Sequence, residues 1–343
     1  MPQLELALWA GFAIGLVFGA CGQITGFCLV RGLKEFWSGN AGYKLHAFAL
    51  ALAIALAGTH LIRTSGLVEI DRSMYLMPTF SVLLVPLGGL MFGYGMHLAN
   101  GCGARALVLL ASGNLRSFVV LICLGISAFI TNSGLLAPLR VYLAELTAVT
   151  PSYISVPDGL PRSIAVLAIV ALLLAFAFQR RESGSRIRDL TGGAVVGVLI
   201  VAGWLATGWL GADDFDPMPV TSLTFIAPIG DTIQYAMIST GMTVRFGIAV
   251  VAGVFLGSLF AAIPAQRAKL QGFESASQMA RYMAGGALMG CGGALALGCT
   301  IGQGLTGLST LSFSSLLAAI AIVAGARAGW RLDTAASGLP AGT

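Results

Sequence analysis

From residue 4 to residue 326 the chain consists of apolar runs about as long as a bilayer is thick, and most of its charges fall in the breaks between them. A hydrocarbon core about 30 Å thick takes about 20 helical residues, and lipid requires each run to satisfy its own backbone hydrogen bonds. Nine runs are expected to span: approximately 4–30, 45–62, 80–99, 117–136, 163–178, 190–210, 246–263, 282–297 and 312–326. Hydrophobic residues make up 57% of the 343, charged ones 10%, and the mean hydropathy is +0.89. A soluble domain of this length would need far more charge to cover its surface. The fold class expected is an all-α polytopic membrane protein embedded in a lipid bilayer.

The net charge of +5 does not describe a nucleic-acid-binding face, because Lys and Arg sit in short clusters between apolar runs. Arg31, Lys34 and Lys44 follow the first run, Arg180, Arg181, Arg186 and Arg188 the fifth, and Arg267, Lys269 and Arg281 the seventh. Such clusters mark cytoplasmic loops. The stretch 211–245 carries Asp213, Asp214, Asp216 and Asp231 against one terminal Arg, and reads as an extracytoplasmic loop. This orientation puts the N-terminus outside and the C-terminus in the cytoplasm. Glu5 is the only charge in 4–30, which lacks a basic leader and a small-residue cleavage site and reads as a retained span.

Two stretches, GYGMHLANGCGARALVLLASG (93–113) and GGALALGCTIGQGLTGLSTLS (292–312), resemble one another. A shift of 197 residues matches Gly88, Gly89, Gly93, Gly95, Leu98, Ala99, Gly101 and Cys102 to Gly285, Gly286, Gly290, Gly292, Leu295, Ala296, Gly298 and Cys299. A fainter echo pairs Thr25–Gly26–Phe27 with Thr207–Gly208–Trp209. The chain is therefore expected to be one transport domain made of a first repeat (1–136), a connecting helix (163–178) and a second, inverted repeat (190–328). Sites of transporters commonly lie at such an interface, on broken helices.

Irregular backbone at membrane depth is tolerated only where protein or water surrounds it, so the two Gly-Cys turns are expected to line an interior path. Short apolar segments follow them, 104–111 and 304–311, and read as re-entrant half-helices whose N-termini suit an anion. Cys102 and Cys299, repeated in register after a glycine, are the leading pathway residues, and Cys28 at the end of the first run is a weaker one. Cys21, Cys123 and Cys291 lie inside plain runs and read as packing. Asn100, Gly101, Gly103, Gly298, Thr300 and Gln303 flank the turns as candidate substrate contacts; Arg105 reads equally as an anion attractor or a snorkelling anchor. His46, His60 and His97 share no metal-ligand spacing, and neither a nucleotide fingerprint nor a nucleophile-base-acid set is present. No metal or cofactor is expected, and no enzymatic activity.

GFCLVRGLKEF (26–36), NGCGARALVLLASGNLRS (100–117) and GCTIGQGLTGLSTLS (298–312) together resemble the YeeE/YedE family of bacterial inner-membrane sulfur transporters. The resemblance spans most of the chain and implies uptake of thiosulfate or a related sulfur anion along an hourglass-shaped path. It assigns the path to Cys28, Cys102 and Cys299, whose thiols would hand the anion on through S–H to sulfur hydrogen bonds. It leaves room for a soluble sulfurtransferase as partner. Cys21, Cys291 and the charged CGAR continuation at 102–105 depart from many relatives. Two other readings compete: a membrane thiol oxidoreductase or sulfurtransferase, for which the pair nearest in sequence is Cys21 and Cys28, and a soft-metal permease.

Overall fold

The computed structural model describes residues 2–39, 42–151, 153–179, 186–212, 218–265 and 269–336; Arg180, Arg181, Asp213, Asp214, Asp216 and Arg267 lie outside them. Thirteen α-helices follow one another in the described residues: α1 (Pro2–Thr25), α2 (Leu29–Trp37), α3 (Tyr43–Ser65), α4 (Leu84–Leu98), α5 (Gly103–Ala111), α6 (Leu115–Asn132), α7 (Ala137–Leu146), α8 (Leu160–Ala177), α9 (Arg186–Leu205), α10 (Ile226–Ile238), α11 (Phe246–Ala262), α12 (Ala276–Leu295) and α13 (Phe313–Ala336). The only sheet described is a ribbon pairing Phe80–Ser81 with Ala148–Val149. Local chemistry sets several helix starts: Asn114 caps α6 by accepting from the Ser117 N–H (3.2 Å), and Ser275 caps α12 through the Gln278 N–H (3.2 Å).

This is a multi-pass membrane protein, but its span count differs from the nine runs. Each run falls on a helix, yet among the described residues only six helical stretches are long and apolar enough to cross a bilayer. A bent pair, α10 with α11 at 117°, brings the count up to seven. α4 has 15 residues, about 22 Å of helix, because it stops at the first Gly-Cys turn. The run 4–30 is also interrupted: α1 ends at Thr25, and Gly26 (φ 68°) turns the chain before α2 starts. Within the stretch read as an outer loop, residues 226–238 form α10, which packs on α6 and α11. Pro228 and Asp231 disguise this short helix in the sequence.

The matched glycines meet at helix crossings. A Cβ on Gly88 would lie 2.6 Å from the Gly292 carbonyl, and one on Gly292 2.6 Å from that of Gly88. Gly95 and Gly285 face each other in the same way, at 2.6 and 2.8 Å. These contacts join α4 to α12. Gly93 closes α4 on α13 at Ile322, and Gly290 closes α12 on α6 at Leu124. In lipid, where burying apolar surface drives little association, small residues let helices approach closely enough to gain packing energy. α1 packs on α11 and α3 on α9, while α8 lies mainly against α3 with Leu167 and Leu172 exposed.

Candidate functional site

Both Gly-Cys turns are built from the same hydrogen bonds. After α4 the Ala99 N–H donates to Gly95 O (2.9 Å) and the Gly101 N–H to Met96 O (3.1 Å); after α12 Ala296 donates to Gly292 O (2.8 Å) and Gly298 to Gly293 O (2.8 Å). The five-residue step back marks a Schellman helix ending, whose penultimate residue must be left-handed. Asn100 (φ 54°) and Leu297 (φ 57°) occupy that position. Asn tolerates it through its short polar side chain, whereas a leucine there costs about 1–2 kcal/mol. The structure thus spends local strain to aim the residues that follow Leu297.

Those residues are the cysteines. Cys102 is the N-cap of α5, and its carbonyl accepts from the Ala106 N–H (2.9 Å). Cys299 opens the segment that follows the second turn: its carbonyl accepts from the Gln303 N–H (2.7 Å), and its sulfur from the Gly302 N–H (3.3 Å). That segment is wound as a π-helix (Gly302–Gly307) and then a 3-10 turn (Leu308–Thr310), where an ordinary half-helix is expected from the sequence. Departures of this kind are frequent at functional sites. Cys28 is likewise an N-cap, of α2.

The three cysteines are buried, and the fold brings two of them together: Cys28 and Cys102 line the same small cavity. This pair replaces Cys21 and Cys28 as the closest candidate for thiol exchange. Thr300, next to Cys299, shares that cavity wall with Cys102. Cys28, Cys102, Thr300 and Arg105 line a cavity of about 10 Å³, room for about one water. A separate cavity of about 620 Å³ reaches Gly298, with Arg245, Asp231, Gln234, Asn132, Ser133 and Thr224 as its polar wall. A side chain at Gly26 would meet Arg31, Lys44 and Arg105 within 4.0 Å, so three cationic side chains converge two residues before Cys28.

The other predicted contacts divide. Arg105 donates to Gly22 O (3.2 Å) and lines the small cavity. Asn100 is exposed and accepts from the Lys34 ammonium (3.1 Å). Gln303 uses its amide nitrogen on Ala296 O (2.7 Å), which staples the second turn. Gly101 and Gly103 are buried at the first turn; a Cβ on Gly103 would stand 3.2 Å from Leu124. Gly298 (φ 157°) supplies a backbone that few other residues adopt. Cys21 and Cys291 donate to Gly192 O and Ser127 O at helix crossings, and all six cysteines are free. The histidines are in hydrogen-bonded positions: His46 with Gly42 O, His60 with Ser163, and His97 with Asp333, which Arg281 also reaches. Sequence reasoning missed Thr224 and Tyr75, which the fold brings near Cys299 from distant loops.

The two segments that follow the turns end against different loops. The end of α5 pairs with the stretch before α12, where Lys269 donates to Ser112 O (3.0 Å) and Leu115 to Gln271 O (3.0 Å). The end of the second meets the stretch before α8: Phe313 donates to Ile154 O (3.2 Å), and the buried Arg162 to Thr310 O (2.8 Å).

A family model described as sulphur transport matches residues 25–328. The thiosulfate transporter TsuA of Spirochaeta thermophila is 26% identical over 93% of this chain and 96% of its own length. The thiosulfate transporter TsuA of Escherichia coli is 22% identical over 92% of each. With both turns, Cys28, Cys102 and Cys299 and most of its length inside that match, the chain belongs to the sulphur transport family.

Proposed function

We propose that this protein takes up thiosulfate or a closely related sulfur anion across the bacterial inner membrane, as a transporter and not as an enzyme. The observation that supports this reading is that Thr224 and Cys299 meet at Gly302, while Thr300, Cys102 and Cys28 line one small cavity one residue further on. Helix N-caps draw the anion's charge, and the thiols favour a terminal sulfur that is large, weakly hydrated and polarizable. Helix dipoles alone would bind sulfate as well. The expected result is that labelled thiosulfate enters proteoliposomes and that a tenfold excess of sulfate competes little, since about 1.4 kcal/mol per thiol contact gives about tenfold preference. Equal competition by sulfate would return Cys102 and Cys299 to packing roles.

Two inverted repeats, 1–136 and 190–328, joined through the helix at 163–178, account for the paired contacts: α1 with α11 as α3 with α9, and α4 with α13 as α12 with α6. On the positive-inside rule Arg31, Lys34, Lys44, Lys269 and Arg281 face the cytoplasm, which leaves the N-terminus outside and the C-terminus inside. Reporter fusions after Ile263 and after Ile154 should report opposite sides; the same side for both would remove the inverted arrangement. A soluble sulfurtransferase at the cytoplasmic mouth would consume the anion and sustain its inward gradient. The cavity that Cys28 and Cys102 share favours thiol exchange as a second reading. It requires a Cys28–Cys102 disulfide to accumulate during turnover, which peptide mapping without reductant detects.

A further inference from the structure

The interior holds polar atoms that the cysteine route leaves unused. The Tyr75 hydroxyl and Thr300 Oγ1 belong to residues only 2% and 1% exposed, and neither makes a directed hydrogen bond. Native interiors keep few such groups, because burying a hydroxyl without a partner is costly. Tyr75 meets Thr224 at the turn that follows Cys299, and Thr300 stands one residue past that cysteine on the wall of the small cavity shared with Cys102. A Cβ built on Gly302 would lie 3.3 Å from the Tyr75 hydroxyl and 2.7 Å from Thr224 Oγ1, and the Gly302 N–H donates to Cys299 Sγ. Thr224 lies beside both Cys299 and Tyr75 and lines the larger cavity.

Tyr75 reaches this point from the loop between α3 and α4. Its carbonyl accepts from Ser312 (2.7 Å), and its ring stands edge-on to Trp204 with centroids 6.3 Å apart. Backbone bond and ring contact together place the hydroxyl at the start of the segment that follows Cys299. Glycine at 302 is what lets the Thr224 and Tyr75 oxygens approach this turn so closely, since any Cβ there would collide with Thr224 Oγ1.

We infer that Tyr75, with Thr224 and Thr300, forms an oxyanion subsite. The hydroxyls donate to the oxygens of a thiosulfate-class anion while its terminal sulfur rests against Cys299 and Cys102. This rests on the transport reading above. Such an anion has two unlike ends, and thiols read only one of them. Donors for the oxygen end fix which end leads, and they exclude ligands that carry sulfur without oxygens.

The test compares binding of thiosulfate with binding of the methanethiosulfonate anion, which keeps the terminal sulfur and replaces one oxygen by methyl. Calorimetry on the purified full chain reads both affinities. Tyr75→Phe is expected to weaken thiosulfate about tenfold and methanethiosulfonate about threefold or less, because a donor to a charged acceptor is lost. Its melting temperature should not fall, since the deleted oxygen has no partner to lose. Thr300→Val should shift the ratio in the same direction. Ser258→Ala removes another buried, unpartnered hydroxyl, at the α1–α11 crossing, and should leave both affinities unchanged. An equal loss for the two anions, or wild-type thiosulfate affinity in both Tyr75→Phe and Thr300→Val, overturns the subsite and leaves the transport reading standing. A wild-type protein that binds neither anion overturns both.

Discussion

Alanine at Cys102 or at Cys299 should lower thiosulfate influx by about a hundredfold or more, with membrane insertion and melting temperature close to wild type. Cys102 is the N-cap of α5 and lines the cavity of about 10 Å³, and the buried Cys299 sulfur accepts from the Gly302 N–H at the start of the second segment. On the proposed transport reading, an anion passing there meets Cys102 and Cys299 in succession. Removing either breaks the contact to its sulfur at two successive positions, and two contacts of about 1.4 kcal/mol each multiply to about a hundredfold. The deletion leaves a gap smaller than a methylene pair, so its cost in stability is about 1 kcal/mol. Cys28→Ala should behave in the same way, because Cys28 lines the same small cavity as Cys102 and lies two residues after the convergence of Arg31, Lys44 and Arg105. Cys123→Ala should stay within about twofold of wild type, since Cys123 lies mid-helix in α6 against Gly286. Normal transport by both Cys102→Ala and Cys299→Ala would end the thiol-relay mechanism.

The class of this protein was legible because lipid imposes one demand on every span, and composition reports it directly. The turns were legible because a cysteine after a glycine recurs at a fixed shift, and the structure gives both copies the same Schellman bonds. What stayed hidden depends on pairs. Cys28 and Cys102 belong to different helices, and spacing along the chain carries no sign that they line the same small cavity. Tyr75 sits in a 3-10 turn of a polar loop, where a tyrosine is unremarkable until its hydroxyl is found buried without a partner. Glycine itself was ambiguous, since the same residue type serves the crossings at 88–95 and the turns at 101–103. Composition cannot separate the two uses; only the atom facing the missing Cβ does. α10 escaped for a related reason: 13 residues carrying a proline and an aspartate look like loop until α6 and α11 cover one side of them.

Gly93→Ala and Gly290→Ala should each destabilise the fold by about 3 kcal/mol or more. A Cβ at residue 93 would stand 2.0 Å from the Ile322 carbonyl oxygen, and one at 290 would stand 2.0 Å from Ser127 Oγ and 2.2 Å from Leu124 O. A comfortable carbon–oxygen contact is about 3.3 Å, so α4 and α13, or α12 and α6, must part by about 1 Å. A gap of that size forfeits a quarter to a half of each dispersion contact along the crossing. Lipid returns little of this, because tails pack on an exposed leucine about as well as a neighbouring helix does. Gly272→Ala is the comparison: no atom lies within 4 Å of its Cβ position, and it should melt like wild type. The measurement is thermal unfolding in detergent alongside flux. α4 carries both the crossing glycine and the turn that presents Cys102, so Gly93→Ala should lose melting temperature and influx together, whereas Cys102→Ala loses influx alone. A Gly93→Ala protein that melts with the wild type would mean that α4 and α13 are not held at backbone contact, and the register linking the crossings to the turns would fail with it.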